Sequence, residues 1–148
     1  MGNRQVSVTR TIATAPENIF ELLVDPSKHP LLDGSGTVRA AQAGAPQRLE
    51  LGSKFGMDMK MGASYKILNT VVEFEENRLI AWRHFNGHRW RWRLEPVEGG
   101  TRVTETFDWS TARVPFLISL SHFPRKNKEG IEKTLDRLAG MFPVGSGS

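Results

Sequence analysis

The segment from His88 to Glu95 is the stretch in which residue type and spacing most clearly indicate chemistry, because arginines and tryptophans alternate along it. Such interleaving is typical of surfaces that bind single-stranded nucleic acid by stacking and charge. In a strand, however, successive side chains face opposite sides, so Trp90 and Trp92 share one face and the arginines the other. We therefore expect the indoles to face the interior, and we expect no nucleic-acid partner. A protein or nucleic-acid interaction module that uses the Arg-rich face is the alternative.

A second period-2 pattern runs through Phe55, Met57, Met59 and Met61. Methionine is flexible and polarizable, and it is common on surfaces that accept varied apolar ligands. The pattern fits either a plain hydrophobic core or the wall of an apolar ligand pocket.

His84 is the histidine best placed for acid–base catalysis. It shares strand parity with Ile80 and Trp82, so it points inward if those residues do. An imidazole titrates near neutral pH, which suits proton transfer, while a hydrogen-bonded core histidine is the structural alternative. Glu105, on the same parity as Val103, is the second catalytic candidate. A catalytic role for either residue is a hypothesis that no sequence motif supports.

The other two histidines outside this strand region are weaker candidates. His29 stands beside Pro30 in a predicted helical linker, where we expect it to be exposed. His122 lies in an irregular apolar segment, from which it could reach the mouth of a cavity.

Several familiar sites lack their required residues. The chain has no cysteine, so it offers no disulfide and no thiolate ligand for a metal. No histidine and carboxylate share metal-ligand spacing, and the Gly34-Ser35-Gly36 loop lacks the Lys-Ser/Thr of a phosphate loop. A nucleophile elbow is also missing. We expect no metal and no cofactor.

The composition is that of an ordinary globular protein. The chain has 148 residues, of which 39% are hydrophobic and 24% charged, and its formal net charge is +4. The sequence has no signal-peptide pattern and no run of roughly 20 apolar residues, so we expect a cytoplasmic protein without stable membrane insertion. A single domain over residues 1–144 is expected, with residues 145–148 as an appended Gly-Ser linker. The sequence leaves monomer and homodimer open.

The elements that must position these residues follow from hydrophobic periodicity. Residues 5–14 alternate as a strand, a helix starts near Ala15-Pro16, and a short helix or turn covers 27–32. A last helix spans Lys126–Phe142, with Leu135 on its apolar face. Between them we predict six strands joined by short turns, including a two-residue turn at Asn86-Gly87; the strands are Thr37–Ala41, Lys54–Met61, Tyr65–Glu75, Arg78–Phe85, His88–Pro96 and Arg102–Ser110.

This order of elements resembles the START-like superfamily, also called SRPBCC. Val8–Ile12 followed by Ala15–Phe20 is similar to that family's opening strand and helix. Arg78–Arg83 and Gly100–Glu105 are similar to its middle and late strands. The resemblance implies an α+β helix-grip fold, in which a curved antiparallel sheet of about seven strands wraps around a long C-terminal helix and an apolar cavity.

The family includes lipid and hormone binders and polyketide aromatase/cyclases, and it has no fixed catalytic motif. The resemblance therefore implies binding of an apolar small molecule, such as an aromatic polyketide, sterol or lipid fragment. A cyclase or dehydratase acting by acid–base chemistry in the same cavity is the alternative. The expected ligand contacts are Met57, Met59, Trp82, Trp90, Trp92, Phe107, Phe116 and Leu135.

Two further expectations depend on the resemblance. In a helix-grip sheet the first and last strands are neighbours, so Arg10 and Glu105 are predicted to form a buried ion pair. The apolar segment 111–123, which contains Phe116, is either a lid over the cavity or a fixed part of the core.

Overall fold

A computed structural model describes residues 4–33, 38–41, 46–61, 63–84, 87–112 and 123–143. They form the predicted α+β helix-grip fold: within this part of the chain, one curved antiparallel sheet has the strand order β1-β7-β6-β5-β4-β3-β2. The elements are β1 Gln5–Ile12, α1 Pro16–Leu23, a 3₁₀ turn Pro26–Lys28, α2 His29–Leu32, β2 Val38–Ala41, β3 Lys54–Met61, β4 Ala63–Glu75, β5 Leu79–Arg83, β6 Arg89–Val97, β7 Gly100–Asp108 and α3 Phe123–Met141.

Helix α1 follows β1 after a short bend, and it begins as its sequence predicts. Pro16 occupies the first turn, where the missing N–H costs no hydrogen bond. The N-cap is Ala15, and no side chain caps the helix. The Thr14 hydroxyl oxygen accepts a hydrogen bond of 2.8 Å from the Asn18 side chain, which links the bend to the first turn of the helix.

The β5–β6 hairpin closes wider than predicted. The His84 N–H donates a hydrogen bond of 3.1 Å to the His88 carbonyl. Three residues, 85–87, therefore separate the bonded pair, instead of the two predicted at Asn86-Gly87. Asn86 lies outside the described residues. Gly87 has φ +96°, and a Cβ there would lie 2.6 Å from the Thr111 carbonyl oxygen, so this position requires glycine.

Helix α3 packs on the concave face of the sheet. Ile131, Leu135 and Leu138 are buried on one side of it, in a core shared with α1 and the inward residues of the strands. The helix begins at Phe123, three residues before the predicted Lys126. Pro124 was expected to precede the helix, but proline is also accepted in a first helical turn. Residues 113–122, including Phe116 and His122, lie outside the described part. Nowhere in the described ranges does a helix combine the length and apolar content that crossing a bilayer requires.

Candidate functional site

A cavity of about 170 Å³ lies between the concave face of the sheet and α3, with α2 at one side. Its wall is mostly apolar and aromatic, and several polar side chains interrupt it. The wall is formed by Leu23, His29, Leu32, Asp33, Phe55, Met57, Ile67, Asn69, Trp82, His84, Trp90, Trp92, Glu105, Lys126, Asn127, Gly130, Ile131 and Thr134.

Aromatic rings from three strands build one side of this wall. Trp82 and Trp90 are direct partners across β5 and β6, because alternation places both on the concave side. The Phe55 ring from β3 meets Trp82 edge to face at 5.5 Å. Trp92 is almost fully buried two residues beyond Trp90. The indoles therefore face the interior, as the alternation in β6 predicts.

The arginines of β6 lie on the opposite, convex face. Arg91 donates two hydrogen bonds to Glu73, of 2.8 and 2.7 Å, and lies 3.4 Å from Asp108. Arg89 donates to the same Glu73 at 2.8 Å. These bonds lower the pKa of the Glu73 carboxyl to about 2, chiefly through Arg91. Since Glu73 and Asp108 already pair with these two guanidinium groups, the predicted basic face is largely neutralised.

His29 is buried, so the expectation that it would be exposed is wrong. The 3₁₀ turn and α2 fold the linker back under the sheet, and the His29 ring stacks on Trp82 at 4.9 Å. Its Nε2–H donates to the Leu23 carbonyl at 2.8 Å. Burial lowers the pKa of His29 to about 4, so the ring is neutral near neutral pH.

Glu105 points into the cavity from β7, opposite Val8 of β1. Only 7% of its surface is exposed, and within the described residues its Oε1 has no hydrogen-bond partner. Burial, with a smaller contribution from the negative charge of Asp33, raises the pKa of Glu105 well above 4.5. The group is therefore a carboxyl that holds its proton far more readily than an ordinary glutamate.

The predicted ion pair between Arg10 and Glu105 is wrong. Arg10 lies two residues further along β1, opposite Val103, and its guanidinium pairs with Asp136 of α3. Strand parity places Arg10 and Glu105 on one face, but the long arginine side chain reaches the helix at the edge of the sheet. That contact is largely solvent-exposed, since 44% of the Arg10 side chain and 70% of the Asp136 side chain are accessible.

His84 follows β5 directly and lines the cavity. Its Nδ1 lies 3.0 Å from Nε2 of His88, so the two rings share one hydrogen bond. Burial lowers the pKa of His84 to about 3, with a further contribution from His88, and it lowers the pKa of His88 to about 4. Both rings are therefore neutral near neutral pH, and such a weakly basic imidazole suits a structural role better than general-base catalysis.

Asn69 is a cavity residue that the sequence analysis missed. It lies on β4, is 2% exposed, and its Oδ1 has no hydrogen-bond partner among the described residues. The signal was present, because Asn69 shares parity with the inward Ile67 and Val71. An amide on an apolar strand face is a buried polar group that needs a partner.

Most of the predicted site residues come together in this cavity. Phe107 and Leu135 are buried but lie outside the wall, and Phe107 packs behind it against Trp90 at 4.9 Å. Phe116 and the side chain of Met59 lie outside the described residues. The predicted residues that do line the cavity are Met57, Trp82, His84, Trp90, Trp92 and Glu105. Their roles in binding or catalysis stay predictions.

Metal binding finds no support in the part of the chain that the structure describes. No group of three or more His, Asp or Glu side chains there is arranged to hold an ion. The polar side chains of the wall are two carboxyls, two amides, two neutral imidazoles, one ammonium and one hydroxyl, and groups of these types can form hydrogen bonds with organic ligands.

Comparison with known proteins gives a consistent assignment. Residues 3–141 match the sequence profile of the family described as polyketide cyclase / dehydrase and lipid transport. An uncharacterized protein of Mycobacterium tuberculosis, Rv0088, is 38% identical over 150 aligned residues that include 97% of this chain. The chain spans 66% of that relative's length.

Solved structures with low sequence identity share the fold. Protein Ms6760 from Mycobacterium smegmatis matches with a TM-score of 0.72 at 14% identity, covering 94% of this chain and 90% of that one. The Aha1 dimer from Colwellia psychrerythraea matches with a TM-score of 0.68 at 19% identity, covering 97% and 98%. The AHSA1-like protein from Aeromonas hydrophila matches with a TM-score of 0.69 at 19% identity, covering 92% and 90%. At these identities the likeness extends to the fold alone.

Proposed function

Because the chain belongs to the polyketide cyclase/dehydrase and lipid transport family, we propose that it binds a small, mostly apolar molecule in the cavity beneath α3. Family membership supports a ligand-binding domain. The observation that carries the proposal is the cavity of about 170 Å³ into which three tryptophans face. Indole rings supply large, rigid contact surfaces that favour flat apolar ligands.

The volume of the cavity limits the size of the ligand that it can hold. An engineered apolar cavity of about 150 Å³ in another protein holds benzene, whereas pockets for drug-sized ligands start at about 300 Å³. At about 170 Å³ the cavity fits one substituted aromatic ring. An aromatic fragment is therefore favoured over a sterol, which would require the walls to move apart.

The test is to fill the cavity from α3 and measure binding. Ethylbenzene should bind the wild-type protein in isothermal titration calorimetry. Ile131→Phe places a ring in the cavity, because Ile131 is a buried part of its wall, and should abolish binding. Leu138→Phe is the matched control: Leu138 lies two helical turns further along the same face, is buried, and does not line the cavity.

The two variants separate binding from folding. Overpacking costs about 1–3 kcal/mol, so Leu138→Phe should melt at a lower temperature yet still bind ethylbenzene. Loss of binding in Ile131→Phe alone supports the proposal. Unchanged binding in Ile131→Phe, or no binding of ethylbenzene by the wild type, refutes it.

The second candidate function is acid–base catalysis in the same cavity, and the observation that favours it is Glu105. A buried carboxyl with a raised pKa, one of whose oxygens has no hydrogen-bond partner among the described residues, is the arrangement expected of a general acid. Acetophenone in D₂O provides the test, because enolisation exchanges its methyl protons for deuterium. Faster exchange with wild-type protein than with Glu105→Gln supports catalysis. If the methyl protons of acetophenone exchange no faster with the protein than in buffer alone, catalysis is refuted and the binding proposal is unaffected.

A further inference from the structure

Glu105 has the environment of a ligand-contacting group rather than of a structural one. It is 7% exposed, lines the cavity, and has an Oε1 without a hydrogen-bond partner in the described residues. Arg10, a cation on the same sheet face, is paired with Asp136 on α3, and Lys126 is a second cation, in the cavity wall. A buried polar atom without a partner costs free energy, so in native structures such an atom usually has a functional role or binds a ligand or water.

The surroundings of Glu105 favour its neutral form. The group is buried and shares the cavity with the carboxylate of Asp33, and together these raise its pKa well above 4.5. A neutral carboxyl presents one O–H donor as well as an acceptor oxygen. The cavity therefore offers a hydrogen-bond donor beside an aromatic wall.

A second polar atom faces the cavity from elsewhere in the sheet. The Oδ1 of Asn69 also lacks a partner among the described residues, and Asn69 lies on β4, separated from β7 by β6 and β5. Trp82 and Trp90 lie on the two strands between them. This arrangement combines apolar contact in the middle of the wall with polar groups to either side, which suits an oxygen-bearing ring better than a plain hydrocarbon.

We propose that Glu105 determines ligand specificity, an inference that rests on the proposed function. Its neutral carboxyl donates a hydrogen bond to an uncharged oxygen, such as that of a ketone, on an aromatic ligand. A site built to hydrogen-bond a ligand atom discriminates against the isostere that lacks it, because the protein group is then left unpaired. The ligand class is thus aromatic ketones and related uncharged oxygen-bearing rings. A cationic amine would instead require Glu105 to ionise inside the cavity, at the desolvation cost of a buried ion pair.

The experiment compares three ligands of nearly equal shape: ethylbenzene, acetophenone and 1-phenylethylamine. Affinities are measured by calorimetry at mildly acidic pH for the wild type, Glu105→Gln and Glu105→Leu. One neutral hydrogen bond should make acetophenone bind about 3- to 10-fold more tightly than ethylbenzene in the wild type. Glu105→Gln keeps a donor and should keep this preference, whereas Glu105→Leu should bind both ligands equally.

Glu95→Leu is the matched control, because it makes the same substitution at a carboxylate that is exposed and bonded to Arg102. It should leave the ketone preference unchanged. Equal affinities for ethylbenzene and acetophenone in the wild type would overturn the role of Glu105 while leaving the binding proposal intact. A preference that persists in Glu105→Leu, or tightest binding of the amine, would also overturn it. If none of the three ligands binds, the proposed function itself fails.

Discussion

Replacing His29 with glutamine should remove one contribution to the acid sensitivity of the fold. The His29 ring is buried against Trp82, with centroids 4.9 Å apart, and bonds the Leu23 carbonyl at 2.8 Å. Burial lowers its pKa from 6.5 to about 4. Glutamine can still donate a hydrogen bond to this carbonyl, but it does not titrate.

The magnitude follows from the two pKa values. Below pH 6.5 the unfolded chain binds a proton at His29, whereas the folded protein does so only near pH 4. The stability that depends on neutral His29 is therefore complete above pH 6.5 and falls as the pH drops towards 4. Each pKa unit corresponds to about 1.4 kcal/mol, so the loss is about 3 kcal/mol.

Urea denaturation at pH 7 and pH 4 measures this loss as a difference between two proteins. At pH 7 His29→Gln should be less stable than the wild type by about 1 kcal/mol, because the stacking on Trp82 is lost. At pH 4 the order should reverse, because only the wild type bears the cost of the buried imidazolium. His84, His88 and Glu105 titrate in both proteins, so their contributions cancel. If the difference in the free energy of unfolding between wild type and His29→Gln is the same at both pH values, the reasoning is refuted.

Two further predictions concern the charged residues. Arg91→Met should lower the free energy of unfolding by about 3 kcal/mol in chemical denaturation, because it leaves the partly buried Glu73 with only one guanidinium partner; Arg93→Met, the next outward position of β6 and an exposed one, should change stability by less than about 0.5 kcal/mol. A double-mutant cycle of Arg10→Met and Asp136→Leu should give a coupling of less than about 1 kcal/mol, because both side chains are largely exposed. A loss in Arg93→Met equal to that in Arg91→Met, or a coupling of several kcal/mol, would contradict these assignments.

Strand faces could be predicted from the sequence because side-chain alternation is a local property. The pattern of β6 correctly placed Trp90 and Trp92 inside and Arg91 outside, since one extended segment fixes the relative directions of all its side chains. The same rule places Asn69 inside, because it shares parity with the buried Ile67 and Val71 of β4.

Contacts between elements could not be derived in this way. Parity correctly put Arg10 and Glu105 on one face, but the partner of Arg10 comes from α3, whose position along β1 no local pattern encodes. His29 was predicted as exposed because the four residues of α2 are too few to show a hydrophobic period. Its burial depends on how the linker folds under the sheet. The volume of the cavity likewise depends on the distance between α3 and the sheet.

The indole N–H resonances of the four tryptophans test the central claim, that a flat apolar ligand occupies the cavity, most directly. Trp82, Trp90 and Trp92 line the cavity, whereas Trp109 is buried outside it and stacks on Phe107 at 5.4 Å. In a ¹H–¹⁵N spectrum, assigned with single Trp→Phe variants, ethylbenzene should shift the first three indole signals and leave that of Trp109 in place. Four unmoved signals, or a shift confined to Trp109, would contradict the account.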